Sequence, residues 1–212
     1  MTDRSRSIQL SGLYVILDPA VQPARPLSDV LTQSAKVGAR IFQYRNKTGS
    51  MKEAYTEALP LRQLATELGV LFIVNDRCDL ALAIDADGVH LGQEDLPYVD
   101  ARKVMGHRTI IGLSTHNERH VREAEQLKPD YIGFGPIYTP GSKQDHDPVV
   151  GVEGLRAIRS LTSLPIFAIG GITVDHVGDV IRAGANGVAI ISAILKAPDV
   201  ACATEELIAQ LS

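Results

Sequence analysis

Ala39-Arg40-Ile41-Phe42-Gln43-Tyr44, then Met51 to Leu68, then Val70-Leu71-Phe72-Ile73-Val74-Asn75-Asp76 is the stretch on which the fold turns. The first and third pieces are short apolar runs rich in β-branched and aromatic residues, which read as buried strands. The middle piece repeats apolar residues at i, i+3 and i+4, the spacing of a helix with one face in a core. Near-continuous hydrophobic strands joined through a helix call for a parallel sheet covered by helices.

The same unit recurs on both sides. Strands are expected at Leu13 to Leu17, Ala39 to Tyr44, Val70 to Val74, Gly88 to Leu91, Thr109 to Leu113, Tyr131 to Phe134, Pro165 to Ile169 and Gly187 to Ile191. Further helices are expected at His116 to Leu127, Val152 to Leu161 and Val174 to Ala183. Spread over 212 residues, eight units take about 26 residues each, enough for a strand, three helical turns and two short loops. Eight units select a single closed (β/α)8 TIM barrel over an open doubly wound sheet, and the length lies near the small end of that fold. Residues 1–11 are expected to be a frayed, charged N-terminus and 12–212 one catalytic domain, with no linker or low-complexity tract to divide it.

Composition narrows the partners. The formal net charge is −4, with 45% hydrophobic and 22% charged residues, which leaves no electrostatic footprint for nucleic acid or a membrane surface. No apolar run approaches the ~18 residues of a membrane span. Aromatic residues make up 5% and Trp is absent, so the core is expected to be aliphatic. Cys78 and Cys202 stand far apart without a CxxC partner, so neither a disulfide framework nor a zinc site is expected, and a reducing cytoplasm fits. A homo-oligomer is compatible with all of this.

In a barrel of this kind the chemistry sits on the loops leaving the C-terminal ends of the strands. The residues there are Asp18; Gln43, Arg45 and Lys47; Asn75 and Asp76; Gln93, Glu94 and Asp95; Ser114 and Thr115; Thr139, Ser142 and Lys143; Gly170 and Gly171; and Ser192. Gln43, Arg45 and Lys47 alternate and so are expected to point to one side of the second strand, where two cations and an amide suit a polyanion. Lys143, on the long Gly135 to Val150 stretch, can close the same cluster. The competing reading is a structural ion pair with Asp76 or Asp95. Those two carboxylates come from adjacent units and suit Mg²⁺ beside a phosphate site, although acid/base work or helix capping by the same residues stays open. Gly170-Gly171 and Ile191-Ser192 end the seventh and eighth strands, where barrels often bind phosphate through backbone N–H groups. His90 reads as a satisfied residue of the barrel interior, because no nucleophile motif accompanies it.

Gln43-Tyr44-Arg45-Asn46-Lys47, Asn75-Asp76, Asp87-Gly88-Val89-His90-Leu91-Gly92-Gln93-Glu94-Asp95, Gly112-Leu113-Ser114-Thr115-His116, Gly135-Pro136-Ile137-Tyr138 with Lys143, and Ile169-Gly170-Gly171-Ile172 resemble the thiamin phosphate synthase family, in order, from about Gly12 to Leu195. The resemblance implies a (β/α)8 transferase. Its small-molecule substrates would be 4-amino-2-methyl-5-hydroxymethylpyrimidine diphosphate and 4-methyl-5-(2-hydroxyethyl)thiazole phosphate, giving thiamin phosphate and pyrophosphate. It further implies that Arg45, Lys47, Asn75 and Lys143 hold the pyrophosphate, and that Gln43 and Ser114 lie near the pyrimidine. Asp76 and Asp95 would bind Mg²⁺, while Gly171, Ile191 and Ser192 would cradle the thiazole phosphate. Arg45, Lys47, Lys143 and Ser114 are the expected catalytic residues. One departure stands out: the family reads Pro-Thr where this chain has Thr139-Pro140-Gly141-Ser142, so Thr139 or Ser142 is expected to supply the displaced hydroxyl. Two rival readings are a thiazole tautomerase-like paralogue and a non-catalytic thiamin phosphate sensor. Retention of Arg45, Lys47, Asp76, Asp95 and Lys143 favours the synthase over the first, and no appended interaction segment supports the second.

Overall fold

Eight parallel strands close into a barrel in chain order in a computed structural model that describes residues 10–139 and 148–211. The strands are β1 (Gly12–Leu17), β2 (Ile41–Tyr44), β3 (Leu71–Asn75), β4 (Gly88–Leu91), β5 (Ile110–Thr115), β6 (Tyr131–Phe134), β7 (Ile166–Ile169) and β8 (Gly187–Ile190), and β8 pairs back onto β1 with Gly12 opposite Gly187. The helices between them are α1 (Leu27–Lys36), α2 (Met51–Leu68), α3 (Cys78–Ala83), α4 (Tyr98–Met105), α5 (Glu118–Leu127), α6 (Gly151–Arg159) and α7 (Val174–Arg182); α8 (Ser192–Leu195) and α9 (Val200–Ala209) follow β8. All eight expected strands are present, and α2 has the expected bounds. Its ends show why: Ser50 and Glu53 form a reciprocal capping box, and Gly69 closes the helix in the left-handed conformation at φ 67°.

Two differences from the expected bounds bear on the mouth of the barrel. Thr115 Oγ donates to the Gly133 carbonyl at 2.9 Å, and the β5–β6 ladder runs on through Ser114 and Thr115, so Ser114 is held on a strand. β2 stops at Tyr44, so Arg45 and Lys47 stand on the following loop and do not continue a strand row as expected.

The core is mainly aliphatic, as expected, with rings set into it. Phe42, Phe72, Phe134 and Phe167, which are all the phenylalanines, are fully buried, as are Tyr14, Tyr44 and Tyr131. Strand alternation divides the buried residues into two layers. Leu13, Val15, Phe42, Phe72, Ile132 and their like face the helices, whereas Tyr14, Ile16, Ile41, Ile73, Ile110, Tyr131, Phe167 and Ala189 fill the barrel. Tyr14, Tyr131 and Phe167 pack edge to face with centroids 5.2–5.9 Å apart. Gly112 makes room for them, since a Cβ there would lie 2.1 Å from Tyr131 Cζ and 2.6 Å from His90 Nδ1. Three of the aromatic residues, Tyr14, Tyr131 and Phe167, thus span the barrel, while Phe42, Tyr44, Phe72 and Phe134 pack in the layer against the helices. Among the described residues no helix is long and apolar enough to cross a membrane.

Candidate active site

A cavity of about 90 Å³ opens at the C-terminal end of the barrel. Five of the expected binding residues line it, Gln43, Arg45, Asn75, Ser114 and Ile191. Tyr14, His90, His116 and Tyr131 complete its polar wall, and Ile16, Ile169 and Phe167 supply apolar wall.

The charges at the rim are already paired. Arg45, its side chain 18% exposed, meets the buried Asp18 carboxylate, whose other oxygen accepts from Ala20 N at 2.9 Å. Lys47, half exposed, meets Asp76. The ion-pair reading therefore holds for Lys47 with Asp76, while Arg45 takes a partner that reasoning from the sequence had noted at the rim without assigning it. Asp18 directly follows β1, and β1 neighbours β2, so strand adjacency was the signal available.

Asp76 is not a helix cap. It adopts φ 64°, with its N–H held by the His90 carbonyl at 2.7 Å, and Arg77 occupies the N-cap of α3. Asp95 likewise caps no helix: it accepts from Gly92 N at 2.6 Å within a tight turn, and Pro97 precedes α4. Burial and the facing Asp76 carboxylate hold the Asp95 carboxyl above its ordinary range, with Lys47 acting in the opposite direction. Two hard oxygen donors facing each other match the chemistry of a small divalent cation once the Lys47 ammonium leaves Asp76. Among the described residues no group of three or more His, Cys, Asp or Glu side chains forms, so such an ion would keep positions for ligand oxygens and water.

Across the cavity, Ile137 N and Tyr138 N donate to the carbonyls of Ile169 and Gly170 at 2.8 and 2.9 Å, binding the segment after β6 to the end of β7. Gly171 sits at φ 62°, and a Cβ there would lie 2.7 Å from the Thr139 carbonyl oxygen, so glycine is required by both conformation and space. Ile191 precedes α8, and Ser192 begins it. Gly171, Ser192 and the exposed Thr139 lie at the rim and do not line the cavity. Ser142 and Lys143 lie outside the described residues.

His90 is satisfied, as expected: Nδ1 lies 3.0 Å from Tyr131 Oη and Nε2 3.0 Å from Ser114 Oγ. Burial pulls its imidazole down to about 4 from 6.5, against the attraction of Asp76. Burial likewise pushes the phenols of Tyr14 and Tyr131 well up, so both keep their protons. These two tyrosines were not singled out in the sequence. Periodicity marks only that they point inward, and their polar role arises from contacts across the barrel.

Known proteins agree with this geometry. The family model described as thiamine monophosphate synthase matches residues 13–194. The thiamine-phosphate synthase of Chloroflexus aurantiacus is 44% identical over 200 residues, spanning 94% of this chain and 92% of its own. That of Methanospirillum hungatei is 44% identical over 195 residues, spanning 92% and 95%. The solved structure of thiamine phosphate pyrophosphorylase from Pyrococcus furiosus matches with a TM-score of 0.85 at 39% identity, covering 94% of this chain and 95% of that one. A family model that covers most of the barrel, and relatives at this identity over nearly the whole chain, lead to one conclusion: this chain belongs to the thiamine monophosphate synthase family.

Proposed function

We propose that this enzyme joins 4-amino-2-methyl-5-hydroxymethylpyrimidine diphosphate to 4-methyl-5-(2-hydroxyethyl)thiazole phosphate, forming thiamin phosphate and pyrophosphate. The observation that carries the reading is the gathering of Arg45, Lys47 and Asn75 at one mouth beside the facing carboxylates Asp76 and Asp95, in a chain of this family. Cations meet a diphosphate, and paired carboxylates meet the Mg²⁺ that accompanies it.

The reaction we infer is dissociative. The bond from the pyrimidine methylene carbon to the diphosphate oxygen breaks with its electron pair going to oxygen. The resulting pyrimidine-methyl cation, stabilised by the ring amino group, is captured by the lone pair of the thiazole nitrogen. Such a path needs no strong protein base, in keeping with a cavity floor where burial holds the His90 imidazole neutral and the Tyr14 and Tyr131 phenols protonated. The protein's task is to neutralise charge growing on the leaving oxygen and to hold the nucleophile in line. Arg45, Lys47, Asn75 and Lys143 take the first role, which requires Arg45 and Lys47 to exchange Asp18 and Asp76 for phosphate oxygens. Asp76 and Asp95 would hold Mg²⁺, which supplies charge neutralisation at the diphosphate when bound. Gly171, Ile191 and Ser192 hold the thiazole phosphate through backbone and hydroxyl donors, with Thr139 or Ser142 beside them. We assign the enzyme to the cytoplasm; the free thiols of Cys78 and Cys202 support that setting.

Incubating both substrates with Mg²⁺ and following thiamin phosphate and pyrophosphate tests the reading. Equimolar products that vanish with a chelator and return with Mg²⁺ are expected. Tight binding of thiamin phosphate without product formation would turn the assignment to a sensor. Lys143→Ala is expected to lower turnover about 10²-fold, the scale of losing one preorganised donor to a developing oxyanion; wild-type turnover at saturating substrate would remove Lys143 from the leaving-group role.

A further inference from the structure

A single run of hydrogen bonds crosses the floor of the cavity. Gln43 Nε2 on β2 lies 2.8 Å from Tyr14 Oη on β1, which lies 2.8 Å from Tyr131 Oη on β6. Tyr131 Oη is 3.0 Å from His90 Nδ1 on β4, and His90 Nε2 is 3.0 Å from Ser114 Oγ on β5. Five strands are thereby joined through five side chains, and Gln43, Ser114 and the three groups between them all line the cavity.

The run has a direction. An amide nitrogen only donates, so the Tyr14 oxygen accepts from Gln43 and passes its own proton toward Tyr131. Tyr131 in turn donates to His90 Nδ1, which puts the imidazole proton on Nε2, facing Ser114. Ser114 Oγ therefore receives a hydrogen bond, and its own proton is left for whatever enters the cavity. The last link does not depend on the charge of His90, because Nε2 carries a proton in either state. At the opposite end Gln43 has spent one of its two amide protons on Tyr14, which fixes the plane of the amide and the direction of its accepting Oε1.

We propose that Tyr14, Tyr131 and His90 are positioning residues that fix this polarity, so that the cavity selects a 4-aminopyrimidine over its 4-oxo counterpart. An aminopyrimidine offers an accepting ring nitrogen beside a donating amino group, which complements the Ser114 proton and the Gln43 oxygen. The oxo compound reverses both, with a proton on the ring nitrogen and an accepting oxygen outside the ring. A site whose rotors are fixed leaves polar groups unpaired against the wrong pattern, and this discriminates far more strongly than shape. The inference rests on the substrates proposed above and names the residues that select one of them.

The test compares binding of the 4-amino diphosphate and its 4-oxo counterpart to the wild type, Tyr131→Phe, Tyr14→Phe and the double variant, alongside kcat and the KM for each substrate. The wild type is expected to favour the amino compound by about 10²-fold or more. Tyr131→Phe should weaken the amino compound about tenfold and narrow the preference, leaving kcat and the KM for the thiazole phosphate within about twofold of wild type. Because both phenols act in one run, the double variant should be no worse than Tyr131→Phe alone. A folded Tyr131→Phe with undiminished preference, or a parallel rise in both KM values, overturns the proposal. Should Tyr131→Phe not fold, Tyr14→Phe is judged by the same preference. A wild type that makes product without discriminating sinks this inference alone. A wild type that discriminates without making product sinks the assigned reaction alone.

Discussion

The two ends of the barrel carry the same kinds of ion pair in different settings. At the closed end Asp87, Asp130 and Asn186, each immediately before an even-numbered strand, accept from the backbone N–H groups of Phe72, Ile111 and Ile166 at 2.8–2.9 Å. An arginine from the helix before the neighbouring odd-numbered strand clasps each one: Arg62 of α2 on Asp87, Arg102 of α4 on Asp130 and Arg159 of α6 on the neutral Asn186. Every one of these guanidinium groups also grips main-chain carbonyls, such as Asp85 O at 2.7 Å for Arg62, Thr109 O at 2.6 Å for Arg102 and Leu164 O at 3.1 Å for Arg159. At the open end Arg45 meets Asp18 and Lys47 meets Asp76, side chain to side chain, and among the described bonds neither cation donates to a carbonyl. A pair that also satisfies main-chain groups cannot part without orphaning them, whereas a pair made of side chains alone can exchange its anion for a phosphate. The closed end is therefore fastened, and the mouth holds its charges ready for ligand.

The largest expected effect breaks the fastened end. Arg62→Met strands the Asp87 carboxylate and should cost about 3–5 kcal/mol of stability, read as a shift in denaturation midpoint, while the folded fraction keeps wild-type kcat. A loss of kcat with stability intact would erase the distinction between the two ends. At the mouth, Arg45→Ala should lower kcat of the folded fraction about 10²-fold, or roughly 3 kcal/mol in the barrier. Its denaturation midpoint should fall as well, because the buried Asp18 carboxylate loses its cation and keeps only Ala20 N, so kcat of the folded fraction is the reading that separates the two ends. A third effect is protonic. His90 titrates at about 4 in the fold and at 6.5 unperturbed, so the unfolded chain binds its proton first. Its contribution to stability is whole above about pH 6.5 and is lost as pH falls toward about 4. Denaturation curves across that window should show a slope that is absent from His90→Asn, and an equal slope in the variant would remove His90 as its source.

Several parts of this arrangement were legible in the sequence. Strand and helix periods differ, so β1 to β8 and α2 could be read from apolar spacing alone. The rule that barrel chemistry follows the strands brought Gln43, Arg45, Asn75 and Ser114 to one list before any coordinates, and all four line one cavity. The two-unit repeat at the closed end went unread, although an acidic or amide residue before Gly88, Tyr131 and Gly187 was its visible trace. Composition foretells a mainly aliphatic core but counts rings without locating them: Tyr14, Tyr131 and Phe167 fill the barrel, whereas Phe42 and Phe72 face the helices.

What the sequence determined by itself was the alternation, and with it the barrel and the end at which its polar residues collect, since both follow from local periods and a single topology. The tertiary structure decided which partner each polar group takes. Arg45 faces Asp18 and not Asp76 or Asp95, and Tyr14 meets Tyr131 across 117 positions of chain. Pairing of β1 with β2 brings the first together, and closure of β8 onto β1 the second. Spacing along the chain carries no record of distance across a barrel, and hydrogen-bond direction exists only once donor and acceptor have met.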